Sequence, residues 1–191
     1  MQLPVNTRQP SAAVDPLFLN RRSPRAFAAD PISPEQARRL FEAARWTPSC
    51  FNDQPWSFVY AVSEEGRARL AAFINEGNRS WAVAAPMLVI AYSRRNFRRT
   101  GAVNRWSAFD TGAACMALTL QAQLLGLATH PMGGILFDEV YKALDLDPEV
   151  YQVHCAIAVG KIGDPSMLPE SVRARESFSD REPLESIVRE L

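Results

Sequence analysis

Apolar residues recur along this chain at two spacings, and the switches between them mark out the elements. Residues 1–14 contain Pro4 and Pro10 and show no period, which predicts an extended arm. Phe18 and Leu19 then predict a short helix capped near Asp15. Ser33-Pro34-Glu35-Gln36 is a helix start, with a hydroxyl cap, proline at the first helical position and glutamine at the capping-box position. Ala37, Leu40, Phe41 and Ala44 follow at helical spacing until Pro48. Trp56 to Val62 alternates and predicts a strand. Ser63 opens a helix with Leu70, Ala71 and Ile74 on one face, expected to end around Glu76-Gly77-Asn78. A second strand is predicted over Met87–Tyr92, and the longest helical pattern runs from Trp106 to Leu127, with Gly126 as its stop. The first half of that helix is small-sided (Gly112, Ala113, Ala114, Cys115, Ala117), as at a close contact with another helix. Ala128–Gly134 reads as a loop, Asp138–Leu144 as a short helix, Val150–Val159 as a buried strand and Gly160–Leu191 as a proline-bearing tail. No repeat and no boundary divides the chain, so one mixed α+β domain over residues 1–191 is expected.

Charge sharpens this picture. Lys+Arg and Asp+Glu both number 21, which argues against a general binder of nucleic acid or of an acidic membrane. The arginines are instead local, at 21–25 and at 94, 95, 98, 99 and 105, as suits a small anionic ligand. Arg21-Arg22-Ser23-Pro24-Arg25-Ala26-Phe27 puts three guanidinium forks and a hydroxyl around a proline that pushes Ser23 towards extended backbone. The arginine-rich loop from Arg94 to Arg105 could receive the 2′-phosphate of NADPH or be an ordinary solvated connection.

Other chemistries lack their residues. Cys50, Cys115 and Cys155 form no Cys-x-x-Cys pair, and His130 and His154 have no ligand-spaced partner, so no metal site is expected. There is no P-loop, Gly-x-Gly-x-x-Gly or Gly-x-Ser-x-Gly elbow. The apolar run Trp81–Tyr92 is too short to span a bilayer, and residues 1–10 hold no apolar core, so a cytoplasmic protein is expected.

Six segments taken together resemble the FMN-dependent nitroreductase family. They are Arg21–Phe27, Pro48–Trp56, Asn78 with Trp81 and Ala85-Pro86, Asp110–Ala114, His130–Gly134, and the tail from Leu168 through Arg175 and Arg181 to Leu184. The resemblance covers nearly the whole chain in order. It implies an α+β fold with a mostly antiparallel central sheet flanked by helices. It also implies an intertwined homodimer with two FMN at the interface and a tail, 161–191, reaching over the partner.

Carried over residue by residue, the resemblance gives Arg21, Ser23 and Arg181 to the FMN phosphate and the side chain or backbone of Arg22 to the ribityl chain. Arg25 falls near the pyrimidine end of the ring as electrostatic support, with no residue acting as acid, base or nucleophile. Pro48, Ser49, Cys50, Asn52 and Gln54 are expected from the other subunit. Met132 and Gly133 offer backbone N–H groups, Gly134 allows close approach, and the pyrimidine-edge amide is Asn78 in preference to Asn75. The implied activity is ping-pong hydride transfer from NAD(P)H through FMN to a nitroaromatic, quinone or other electrophile. Family members that do not use NAD(P)H (dehalogenase, azoline oxidase or flavin-destroying types) and a non-catalytic flavin-binding protein are the alternatives.

Overall fold

A computed structural model of the chain describes residues 3–191; the first two residues of the arm lie outside it. Among these residues four antiparallel strands form the sheet: β1 (Trp56–Ala61), β2 (Met87–Arg94), β3 (Ala128–Met132) and β4 (Tyr151–Gly160), in the order β1-β2-β4-β3. Eight helices surround it: α1 (Pro16–Asn20), α2 (Pro34–Arg45), α3 (Glu64–Ala71), α4 (Glu76–Ala82), α5 (Ser107–Leu124), α6 (Phe137–Ala143), α7 (Glu170–Arg173) and α8 (Leu184–Ile187). The mostly antiparallel α+β class expected from the sequence is the one found.

The period-two pattern of β2 sorts the core into two layers. Met87 and Val89 face α2 and α5 with Ala37, Leu40, Ala114 and Leu118. Leu88 and Ile90 face the other way, onto Leu70, Ile74, Trp81 and Val140. All four of these strand residues are 1% exposed or less, so β2 is the centre of a three-layer domain. The helix start at Ser33 is a full capping box: Ser33 Oγ accepts from Gln36 N at 3.1 Å and Gln36 Oε1 accepts from Ser33 N at 2.9 Å. Gly126, at φ +70°, takes the left-handed position just past α5.

Two expectations are corrected. Glu76-Gly77-Asn78 does not end a helix; it is the first turn of α4, because Asn75 Oδ1 accepts from Asn78 N at 3.1 Å and caps a new one. Helix α3 stops earlier, at Ala71, and Ile74 leaves to bridge Ile135. The segment 128–134 is not all loop, since 128–132 is the strand β3, paired from Ala128↔Gly160 to Met132↔Ala156. Pro131 hid it, and proline is tolerated there because β3 is an edge strand.

Candidate functional site

The site begins where α1, capped by Asp15 Oδ1 accepting from Leu17 N at 2.7 Å, hands the chain to Arg21. From there the backbone is extended, and burial alternates: Arg22 and Pro24 are buried, Arg21, Ser23 and Arg25 only half-buried. That alternation divides the labour of three adjacent arginines. Arg22 turns inward, and its Nη1 donates to Glu176 Oε2 at 2.8 Å, both side chains 6% exposed or less. The second oxygen of Glu176 accepts the backbone N–H of Arg25 at 2.6 Å and lies 3.8 Å from Arg25 Nη1. A single buried carboxylate of the tail therefore pins the segment at both residues. Arg22 also lies 5.7 Å from the centre of the Phe178 ring.

At the other end of the segment Arg21 Nη1 donates to Ser23 Oγ at 3.4 Å. Burial, followed by the nearby cation of Arg181, holds the Arg21 guanidinium below its ordinary pKa. Arg8 joins them from the N-terminal arm. It donates to the carbonyls of Arg21 at 2.6 Å, Leu19 at 2.9 Å and Ser179 at 2.8 Å, stapling arm, segment and tail together. Burial lowers its pKa as well, and Arg181 and Arg21 add to the effect. Among the described residues Arg8, Arg21 and Arg181 have no carboxylate within ion-pairing distance. Three cations that repel one another, one of them bonded to the Ser23 hydroxyl and only Arg8 offset in part by Asp180, make a site short of an anion.

Beyond Arg25 the surroundings change from basic to aromatic and amide. The Arg25 guanidinium donates to the carbonyl of Arg175 at 3.1 Å and sits 6.0 Å from the centre of the Trp81 ring. Trp81 in turn packs against His130, with centroids 4.5 Å apart. His130 Nδ1 donates to the carbonyl of Pro24 at 2.9 Å, tying β3 to the segment, and burial lowers its pKa. Next to β3, a Cβ on Gly134 would lie 2.5 Å from the side-chain amide nitrogens of both Asn75 and Asn78, so any larger residue would have to displace both amides. Asn75 has spent its oxygen on the α4 cap. Asn78, half-buried, makes no side-chain hydrogen bond among the described residues. Met132 is buried and Gly133 exposed at this end.

The turn over 48–54 is built separately. Ser49 Oγ accepts from Gln54 N at 3.0 Å, Cys50 N donates to the buried Asp110 Oδ2 at 3.1 Å, and Gln54 Nε2 donates to the Asn52 carbonyl at 2.9 Å. Phe51, Asn52 and Gln54 hold left-handed φ values of 53°, 55° and 50°, strain that a bulky residue such as Phe51 adopts only when its surroundings impose it. Among the described residues this turn makes no hydrogen bond to 21–25, 75–78, 132–134 or Arg181; it is bonded instead to the 94–105 loop and α5. Pro48 leads into it.

The sequence profile of the nitroreductase family matches residues 19–84 and 73–161, which takes in the arginine segment, the 48–54 turn, Asn78 and β3, with Arg8 and the tail residues Glu176 and Arg181 outside the match. The chain belongs to the nitroreductase family. A Xanthomonas oryzae relative with the provisional name NADH dehydrogenase/NAD(P)H nitroreductase is 34% identical over 65% of this chain and 72% of its own. A Streptomyces coelicolor relative with the same provisional name is 30% identical over 85% of this chain and 91% of its own. Among solved structures, one described as an oxidoreductase containing FMN superposes with a TM-score of 0.91 at 38% identity, covering 99% of this chain and 97% of that one. A nitroreductase-like protein from Desulfovibrio desulfuricans, solved with FMN, gives a TM-score of 0.70 at 26% identity over 92% of this chain and 95% of that one.

Two residues of this arrangement in a nitroreductase-family chain escaped sequence reasoning. Arg8 lies in an arm without period, and Glu176 is one of several acids in the tail. The only signal for Glu176 was indirect, since an arginine turned inward by alternation at Arg22 must find a counter-charge.

Proposed function

We propose that the chain is an FMN-dependent NAD(P)H oxidoreductase that reduces nitroaromatics, quinones or related electrophiles. The observation that carries this reading is the cation cluster of Arg8, Arg21 and Arg181 beside Ser23, at one end of an extended segment in a chain of this family. The donor set fits a phosphate monoester, because guanidinium forks match phosphate oxygens and, among the described residues, no carboxylate lies within ion-pairing distance of these forks. Four residues of extended chain carry Arg25 up to about 13 Å from Arg21, room for a ribityl chain and the near edge of a ring system. The unspent amide of Asn78 and the backbone of Met132–Gly134 then supply donors and acceptors for that edge, and Arg22 is left its backbone for the ribityl contact.

FMN supplies two-electron chemistry when bound, accepting hydride equivalents from NAD(P)H and passing them on. The protein's residues bind and orient. Arg21, Ser23 and Arg181 hold the phosphate, Arg25 places positive charge where negative charge accumulates, and no side chain needs to move a proton at a carbon centre. For a nitro group the balance is one NAD(P)H and one proton consumed, with NAD(P)⁺, the nitroso product and water formed.

Pro48, Ser49, Cys50, Asn52 and Gln54 stand apart from the clamp of their own chain, and a second copy would bring its turn to it. Trp106, Phe109, Met116 and Leu124 lie along one face of α5, all of them exposed, with Phe109 at 73%. Covering that stripe with a second copy gives the homodimer with two interface sites. The tail folds onto its own chain as far as Arg181, and residues 182–191, with Ile187 70% exposed, remain to reach the partner. Among the described residues no helix is long and apolar enough to cross a membrane, and we place the enzyme in the cytoplasm.

The test is anaerobic mixing of the purified protein with NADH or NADPH. A yellow dimer that releases FMN and not FAD on denaturation, and bleaches rapidly with a reduced nicotinamide, is expected. A colourless protein that takes up no added FMN would overturn the reading, and a yellow protein that neither donor bleaches would overturn its NAD(P)H part.

A further inference from the structure

The turn over 49–54 and the 94–105 loop enclose a cleft of about 670 Å³, within the range of small-molecule sites. Its walls are unusual in combining exposed aromatic rings with unneutralised positive charge. Phe51 is 83% exposed and meets Phe97 edge to face, with centroids 5.8 Å apart at 74°, and Trp56 closes the floor. Phe51 holds a left-handed φ of 53° in this wall.

The loop forms a fixed wall. Arg98 N donates to Asp53 Oδ1 at 2.9 Å, Arg98 Nη2 donates to the Gln54 carbonyl at 3.1 Å, and Asn104 Nδ2 donates to Asp53 Oδ2 at 3.4 Å. Phe97 N donates to Ala102 O at 2.8 Å and closes the loop on itself. Asp53 is the carboxylate in the lining, and both its oxygens are engaged by these donors. Arg99, exposed at the rim, has no hydrogen bond or ion pair among the described residues. Two arginines against one aspartate leave the cleft formally at +1.

We propose that this cleft selects flat aromatic electron acceptors carrying a carboxylate or sulfonate group, the ring held by Phe51 and Phe97 and the anion read by Arg99. Ring burial against two aromatic side chains supplies affinity without direction, and the cation supplies the choice between charged and neutral acceptors. Arg99 is thus a specificity residue and takes no part in holding FMN. The inference rests on the oxidoreductase reading for the reduction of a bound acceptor, but binding itself can be measured without turnover. The extra phosphate of NADPH is a second source of anionic oxygen, and the experiment separates the two.

The experiment is calorimetric titration of the oxidised, flavin-loaded protein with 4-nitrobenzoate and with nitrobenzene. It compares the wild type with Arg99→Ala, Arg99→Lys, Phe51→Ala and, as a control outside the cleft, Arg105→Ala. Arg99→Ala should weaken 4-nitrobenzoate about fivefold, the upper end for an exposed ion pair, and leave nitrobenzene unchanged. Arg99→Lys should recover part of the loss, Phe51→Ala should weaken both ligands, and Arg105→Ala neither. In steady state the same Arg99→Ala protein should show a raised KM for 4-nitrobenzoate with kcat retained. Equal affinity of wild type and Arg99→Ala for 4-nitrobenzoate, or equal losses for both ligands, overturns the proposal. So does slower reduction by NADPH relative to NADH with acceptor binding unchanged, which would assign Arg99 to the donor's phosphate. If the protein holds no flavin the functional reading fails, while the same titration of the flavin-free protein still reports on the cleft.

Discussion

Replacing Glu176 by glutamine tests the central electrostatic arrangement of the molecule. The Glu176 carboxylate is 2% exposed and holds Arg22 at 2.8 Å and the Arg25 N–H at 2.6 Å. Glutamine keeps an acceptor of the same shape, so the backbone bond to Arg25 survives, but Arg22 is left as a buried cation without a counter-charge. Among the described residues Arg22 Nη2 is buried and has no hydrogen-bond partner, so the carboxylate is the one group that offsets its burial. Breaking a buried pair on one side costs about 3–5 kcal/mol, against a total stability of about 5–15 kcal/mol for a domain. Removing both partners is far milder, so Glu176→Gln with Arg22→Met should recover most of the loss. The assay is urea unfolding of the four members of this cycle, read as a shift of midpoint at constant m. A cost below about 1 kcal/mol for Glu176→Gln, or a double variant no more stable than the two losses added, would refute a buried, uncompensated Arg22. Flavin content should fall together with stability in the single variant, because the pinned segment carries Arg21 and Ser23.

Two further outcomes are expected. Arg21→Ala should weaken FMN binding by about 1.5–3 kcal/mol in equilibrium dialysis, the scale of a charge-assisted hydrogen bond, while Arg99→Ala leaves it unchanged; equal losses would mean the clamp is misplaced. Stability should fall on acidification below pH of about 6.5. Burial lowers the pKa of both His130 and His154, so in that window the unfolded chain binds protons that the folded chain does not, and stability rises with pH. Urea midpoints between pH of about 5.5 and 8 check it, and a midpoint that rises towards acid would contradict the buried neutral rings.

The fold was legible where one local signal dominated. The capping box at Ser33 and the alternation of β1 and β2 each specify an element from within a few residues. Sequence reasoning lost α4 and β3, where two signals compete. In Glu76-Gly77-Asn78 a glycine normally read as a helix stop overrides Asn75, a residue equally suited to start one. At β3 a proline and two glycines mask a strand that exists because β4 offers it an edge, a tertiary fact with no local trace.

The arginine segment shows how far one local rule carries. Pro24 biases Ser23 to extended backbone, and extended backbone alternates its side chains. From those two statements Arg21, Ser23 and Arg25 must share a side and Arg22 must face the other, as burial bears out. What the rule could not provide is the counter-charge, since Glu176 lies 154 residues from Arg22. The tail acid pairs with the inward Arg22 and also lies 3.8 Å from Arg25, and it leaves Arg21, with Arg8 and Arg181, to repel one another. A folded chain tolerates such repulsion at a site where a ligand's anion relieves it, and the same tail supplies both the carboxylate that pins the segment and, five residues on, an arginine of the unneutralised cluster.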